Sequence, residues 1–186
     1  MSKIVDINWL YLKYYSDNPQ LRRIVTVHSK QVAKKALEIA AKKNLPLDFK
    51  DIYVAAMLHD IGVVRCKAND IHAFGDLPYL QHGIEGKKIL EGHGLYKFAN
   101  ICVTHTGAGI SAAEIRKNNL PLPEKDMIPK TLLEKLICYA DKFYSKSHDL
   151  TKEKSIEEVI NQMKKFGEGP YKRFMEIHSL FNVEGN

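Results

Sequence analysis

A stripe of apolar residues at helical spacing constrains this chain more than any other feature. Leu21, Val25, His28, Val32, Ala36 and Ile39 recur at intervals of three and four, which places them on one face of a helix from about 20 to 43. Strict alternation, the mark of half-buried strands, is nearly absent. The chain is therefore bound to fold by packing helix faces together.

Breakers divide the rest. An aromatic-rich helix at 7–15 ends near "SDNP", and "NLPLDF" separates the long helix from one at 49–60, with Asp48 placed to cap it. Residues 62–78 hold Gly62, Gly75 and Pro78 and read as a loop. Helices follow at 79–92 and 95–105, split by "EGHG". "TGAGIS" is a turn, Ser111 caps a short helix to about 118, and "NNLPLPEKDMIP" is a proline-rich excursion. A helix at 131–145 starts at Thr131. Two more, at 154–165 and 169–180, are parted by Gly167 and Gly169, and "NVEGN" is a frayed tail. The expected fold class is all-α, a single-domain helical bundle over 1–186. Its core spans about 20–147, with the helix at 7–15 and the helices of 154–180 packing on it.

Composition narrows the setting. With 186 residues, 45% of them hydrophobic, the chain can bury a substantial core. Three cysteines and no CxxC pair argue against a disulfide framework or a thiolate zinc site and suit a reducing cytoplasm. No apolar stretch approaches the ~20 residues of a membrane helix, so a cytoplasmic protein without a membrane partner is expected. The net charge of +6 is spread over doublets such as Lys34-Lys35, Lys87-Lys88 and Lys164-Lys165. These read as solvated helix faces rather than a nucleic-acid stripe, so nucleic acid is not the expected partner. The charge also suits a phosphorylated substrate.

Within this apolar pattern several segments carry side chains that a core does not need. His28 lies on the long stripe. "AAMLHDIG" ends an apolar run in His59 and Asp60. His105 follows Phe98, Ile101 and Cys102 at helical spacing, and His82 shares a side with Gly86 and Ile89. Asp141 falls four residues after Ile137 and eight after Leu133, so it points inward. A single histidine of this kind reads most simply as a core imidazole bonded to backbone. A buried carboxylate needs a partner or a cation, and Lys142, next in sequence to Asp141, is expected to point elsewhere. A divalent metal would account for all five segments: iron or manganese first, with zinc, nickel or magnesium also suited to the donors. Adjacent helical residues diverge, yet at a helix end His59 and Asp60 can approach one ion from two directions, with Gly62 letting the chain turn away.

In this order, His28, His59-Asp60 and Asp141 resemble the H…HD…D signature of the HD-domain metal-dependent phosphohydrolases, and "HDIG" at 59–62 is similar to the tetrapeptide that names a subgroup. The resemblance covers roughly residues 20–147. His82 and His105 look like the additional histidines of binuclear members. "THTGAG" and "TLLEKLICYADKF" are similar to small stand-alone HDIG proteins and to symmetrical diadenosine tetraphosphatases. The GYP tripeptide and doubled histidine of the HD-GYP group are missing, which speaks against cyclic dinucleotides. The resemblance implies an HD-type bundle with its metal site between helices. One ion would be held by His28, His59, Asp60 and Asp141, and a second by Asp60, His82 and His105.

It further implies hydrolysis of a phosphate ester or anhydride of a nucleotide or similar small molecule by a metal-activated water. Asp60 would orient that water. Arg65, in the loop after it, is the first candidate to hold phosphate, against an ordinary surface arginine. Thr106 and Gly107 could offer backbone donors, against a plain glycine helix stop. Lys142 is a further substrate candidate. His72 and His93 read as solvated loop histidines, and His148 and His178 fall outside the pattern. Two alternatives remain: a non-hydrolytic metal- and nucleotide-binding sensor, and an RNA phosphodiesterase.

Overall fold

A computed structural model describes residues 5–147 and 149–182. The helices are α1 (Ile7–Tyr15), α2 (Pro19–Lys42), α3 (Phe49–Leu58), α4 (His82–Gly92), α5 (Tyr96–Thr104), α6 (Ala112–Lys117), α7 (Leu132–Asp141), α8 (Ile156–Lys165) and α9 (Glu168–Phe181). The fold is all-α apart from one small sheet. His148, and the tail from 183 on that was expected to fray, lie outside the described residues.

Local chemistry accounts for most boundaries. Asn18 accepts from the Leu21 N–H and Pro19 opens α2, while Asp48 caps α3 through the Lys50 N–H. Ser111 with Glu114, and Thr131 with Glu134, form reciprocal capping boxes on α6 and α7. The α2 stripe is buried from Leu21 to Ala40. It packs on α3 and α7, and from Leu10 in α1 to Phe181 in α9 the buried apolar side chains form one cluster. A smaller cluster of Val103, Ile115 and Met127 lies under the proline-rich excursion, where Ile110 and Met127 exchange backbone hydrogen bonds. Among the described residues no helix is long and apolar enough to cross a membrane.

Three expectations are corrected. Residues 62–78 are not a plain loop. After a 3-10 turn at Ile61–Arg65 they form the strands β1 (Cys66–Ala68), β2 (Ala73–Phe74) and β3 (Leu77–Pro78), in the order β2-β1-β3. β1 pairs antiparallel with β2 and parallel with β3, in ladders too short to leave an alternation in the sequence. The helices expected at 49–60 and 131–145 stop at Leu58 and Asp141. Gly62 serves close approach rather than a turn. Its φ is not positive, but an added Cβ would stand 2.0 Å from the His82 carbonyl oxygen and 2.2 Å from the Gly86 nitrogen. Its missing side chain lets α4 press against the 3-10 turn that follows Asp60.

Candidate metal centre

α2 contributes His28 from its middle, α3 delivers His59 and Asp60 just past its last turn, and Asp141 is the last residue of α7. His82 is the first residue of α4 and His105 follows the last residue of α5. All six side chains are buried, Asp141 being the most open at 7% exposure. Their donor atoms gather into two groups, His28–His59–Asp60–Asp141 and Asp60–His82–His105, each with atoms within 4.8 Å of one another. Asp60 belongs to both.

Its two oxygens divide the work. Oδ2 stands 3.1 Å from His59 Nε2 and 3.4 Å from His28 Nε2, while Oδ1 stands 3.4 Å from His82 Nε2 and 3.3 Å from His105 Nε2. Asp141 Oδ1 lies 2.9 Å from His28 Nε2 and 3.4 Å from His59 Nε2. Adjacent residues at the end of a helix therefore do converge. Tyr15 supports the segment from below by donating its hydroxyl to the Ile61 carbonyl at 2.9 Å.

Three of the four imidazoles are oriented by backbone. His59 Nδ1 meets the Ala56 carbonyl at 2.6 Å, His82 Nδ1 the Tyr79 carbonyl at 2.7 Å, and His105 Nδ1 the Ile101 carbonyl at 3.1 Å. A carbonyl can only accept, so each Nδ1 carries the hydrogen, and the neutral rings of His82 and His105 turn the lone pair of Nε2 inward. His82 Nε2 and His105 Nε2 face one another at 3.0 Å. Burial, then the neighbouring His105, lowers His82 to about 3, and burial lowers His105. Two neutral rings thus point lone pairs at each other, an arrangement that a shared cation relieves.

The first group is more highly charged. Burial, then Lys146, brings His28 down to about 4. Burial opposes charge on His59 too, but Asp60 and Asp141 outweigh it and raise that imidazole to about 9. Burial alone would also raise both carboxyls. Instead His59 and Lys146 hold Asp60, and Lys142 and Lys146 hold Asp141, well below the usual carboxylate range. His28 Nδ1, His59 Nε2 and both Asp60 oxygens are sealed from water without a hydrogen-bond partner. Lys146 stands 2.7 Å from Asp60 Oδ2 as an ion pair without hydrogen-bond geometry. Such orphaned atoms are costly unless something binds them. A mixed imidazole and carboxylate set of this kind fits a divalent metal.

Beside the centre lies a cavity of about 550 Å³. Lys67, Lys142, Lys146, Lys154, Tyr79 and Tyr144 line it, with Asp141 and Asp70 as its acids. Lys142 does not point away from Asp141, as its place in the sequence suggested. Because α7 ends at Asp141, the side chain folds back, 2.7 Å from Asp141 Oδ2 and 3.0 Å from the His105 carbonyl to which it donates. Lys146 and Tyr79 were not anticipated, and no periodicity could have marked them, since both lie outside α-helices.

Arg65 is exposed at the end of its 3-10 turn and is not among the residues lining this cavity. Thr106 and Gly107 line a smaller pocket of about 260 Å³, and Gly107 has a positive φ of 62°, as a glycine helix stop would. His72 is exposed. His93 is half-buried against Trp9 and Tyr14, whose hydroxyl lies 2.8 Å from its Nε2. The three cysteines are buried and free.

Comparison with known proteins agrees with this geometry. The HD domain family model matches residues 25–145, which include all six clustered side chains and the whole of α7. An uncharacterized protein of Methanocaldococcus jannaschii is 32% identical over 145 residues, 76% of either chain. A tRNA (cytidine(56)-2'-O)-methyltransferase of Picrophilus torridus is 35% identical over 123 residues, 66% of this chain but 32% of the relative. A protein of the same description from Thermoplasma volcanium is 27% identical over 158 residues, 84% of this chain and 41% of the relative. The chain thus spans about a third of one methyltransferase and about two fifths of the other. No solved structure matches. With its buried histidines and aspartates inside the matched span, the chain belongs to the HD domain family.

Proposed function

We propose that the chain is a metal-dependent phosphohydrolase that cleaves a phosphate ester or anhydride of a nucleotide or similar small phosphorylated molecule. The observation that carries this reading is Asp60, whose two oxygens face two separate sets of imidazoles. His28, His59, Asp60 and Asp141 would hold one divalent ion, and Asp60, His82 and His105 a second. Iron or manganese is the first choice of ion, with zinc, nickel or magnesium also suited to imidazole and carboxylate donors. Ions so held would supply an acidified water and a clamp on phosphoryl oxygens.

The chain's own residues provide the rest. The backbone contacts of His59, His82 and His105 fix ring orientation before any ligand arrives. The lysines of the adjacent cavity provide a positive wall for phosphate oxygens, and its volume accommodates a nucleotide-sized molecule. Lys142 takes part there in place of Arg65, which we assign to the surface. A cytoplasmic setting is consistent with three free thiols.

The two methyltransferase relatives favour a second reading, with RNA as the partner. The activity in their names is methyl transfer to tRNA, and it belongs to proteins of which this chain spans a minor part. One screen separates the readings. Protein loaded with Mn²⁺ is offered mononucleotides, dinucleoside polyphosphates, tRNA and single-stranded RNA, with Asp60→Ala as control. Hydrolysis of one of the small compounds, to phosphate or to smaller nucleotides, lost in the control by at least about 100-fold, is the expected result. Cleavage of RNA alone would favour the second reading. Saturable nucleotide binding without turnover would make the protein a sensor, and equal activity in Asp60→Ala would sink the metal mechanism.

A further inference from the structure

The lysine cavity and the ligand cluster meet through one side chain. Lys146 lies in the stretch after α7, where residues 142–147 and 149–155 form neither helix nor strand. Its stem lines the cavity, its side chain is 14% exposed, and its ammonium stands 2.7 Å from Oδ2 of Asp60, the carboxylate common to both ligand groups. An ammonium and a divalent ion compete for the same oxygen. The ion carries twice the charge and gains the imidazole lone pairs besides, so it wins. Lys146 then has a place to go, because the cavity begins at its own stem and its loop is not held in a helix.

That place already suits an anion. Lys142 and Lys154 stand on the same wall, Lys142 tied to Asp141 and the His105 carbonyl, Lys154 to Gln162. Lys146 is the one among these three whose ionic partner is the shared carboxylate. Tyr79, a hydrogen-bond partner of Lys146, stacks on His82 with ring centroids 4.8 Å apart. Burial raises its phenol to about 12, so it remains a hydrogen-bond donor.

We propose that Lys146 exchanges partners: it neutralises Asp60 in the metal-free protein, and on metal loading it turns into the cavity and binds the substrate's phosphate. The proposal rests on the metal-centred reading above, and it makes phosphate affinity dependent on metal occupancy. An empty centre would then leave the cavity without its principal phosphate contact, and substrate would not bind unproductively.

The test uses the full chain, Mn²⁺ and inorganic phosphate as probes, and the variants Lys146→Met and Lys146→Arg. Calorimetric titration of the chelator-treated proteins with Mn²⁺ should show tighter binding to Lys146→Met, by roughly 10-fold, because no ion pair has to be displaced. Melting should show the metal-free Lys146→Met protein less stable than the parent and the loaded proteins closely matched. Phosphate titrated into loaded protein should bind Lys146→Met about 10- to 100-fold more weakly than the parent, with Lys146→Arg close to the parent. Phosphate should bind the metal-free parent no better than loaded Lys146→Met.

Unchanged or weaker Mn²⁺ binding in Lys146→Met, or unchanged phosphate binding, overturns the proposal, since a purely structural lysine would weaken metal binding or leave phosphate unaffected. Should Lys146→Met fail to fold, Lys146→Gln is read by the same titrations. The phosphohydrolase reading fails separately, if the loaded parent binds phosphate in this metal-dependent way yet turns over no phosphorylated compound.

Discussion

His28, His59 and Asp141 reach Asp60 from the middle of one helix and the ends of two others that pack together in the core, whereas His82 and His105 come from the first residue of α4 and the residue after α5. The first group holds two carboxylates, and the charged His59 imidazole faces them across 3.1–3.4 Å. The second holds two neutral imidazoles 3.0 Å apart and the far oxygen of the same Asp60. Charge thus dominates one half of the centre, and geometry fixed by backbone carbonyls dominates the other. A divalent ion gains more Coulombic energy in the first half, so that half should bind metal more tightly. The second half should depend more on α4 and α5 staying in place.

The comparison breaks most directly at the ligands. Asp141→Ala removes a carboxylate from the first group alone, and His82→Ala removes an imidazole from the second alone. His82→Ala is expected to lower the metal content from about two ions per chain to about one, with the tighter ion retained. Asp141→Ala should lose the tighter ion, and activity should fall by at least about 100-fold in either variant. Elemental analysis after dialysis measures this. If His82→Ala loses all metal, or Asp141→Ala retains the tighter ion, the halves are not built as described.

A subtler break acts on position rather than on a ligand. In Gly62→Ala the new methyl would sit 2.0 Å from the His82 carbonyl oxygen and 2.2 Å from the Gly86 nitrogen. These are backbone atoms, so α4 must shift and carry His82 with it. The expected cost is about 1–3 kcal/mol, read as a lower melting temperature, with the weaker ion lost and the tighter one kept. A variant with parental melting and full metal content would show that the close approach is not what seats His82.

These outcomes also bear on what could be read from the chain alone. His28 and Asp141 were legible because each replaces an apolar residue in a helical stripe, and a helix gives every side chain a known direction. His82 and His105 were legible for the same reason, although both stand at helix ends. Lys142 is not legible in this way, because a helix running to 145 would turn its side chain away, whereas α7 ends at Asp141 and the turn brings it back. Lys146 and Tyr79 lie in segments where no period sets direction, so only tertiary packing brings them to the cavity. Arg65 shows the converse: a basic residue near the motif in sequence, carried outward by a 3-10 turn. The paired residues of β1, β2 and β3 are two or three per strand, below what alternation can register.

The smallest expected effect tests how far support for the second half extends. Arg173 of α9 donates to the carbonyls of Ala108 and Gly109, in the turn after His105, and pairs with Glu114 at 2.7 Å. Arg173→Met should cost about 1–2 kcal/mol and weaken the second ion a few-fold while leaving the first alone. The dependence on pH identifies the pair. Burial alone would raise Glu114, but Arg173 lowers it below its ordinary 4.5. A carboxyl lowered on folding contributes stability that is present above its unfolded value and is lost as the pH falls through the folded one. The difference in melting temperature between parent and variant should therefore be largest near neutrality and shrink on acidification below about 4.5. A difference that stays constant into acid would mean that Arg173 acts through the two carbonyls and not through Glu114. No loss of the weaker ion would confine its influence to α6 and α9.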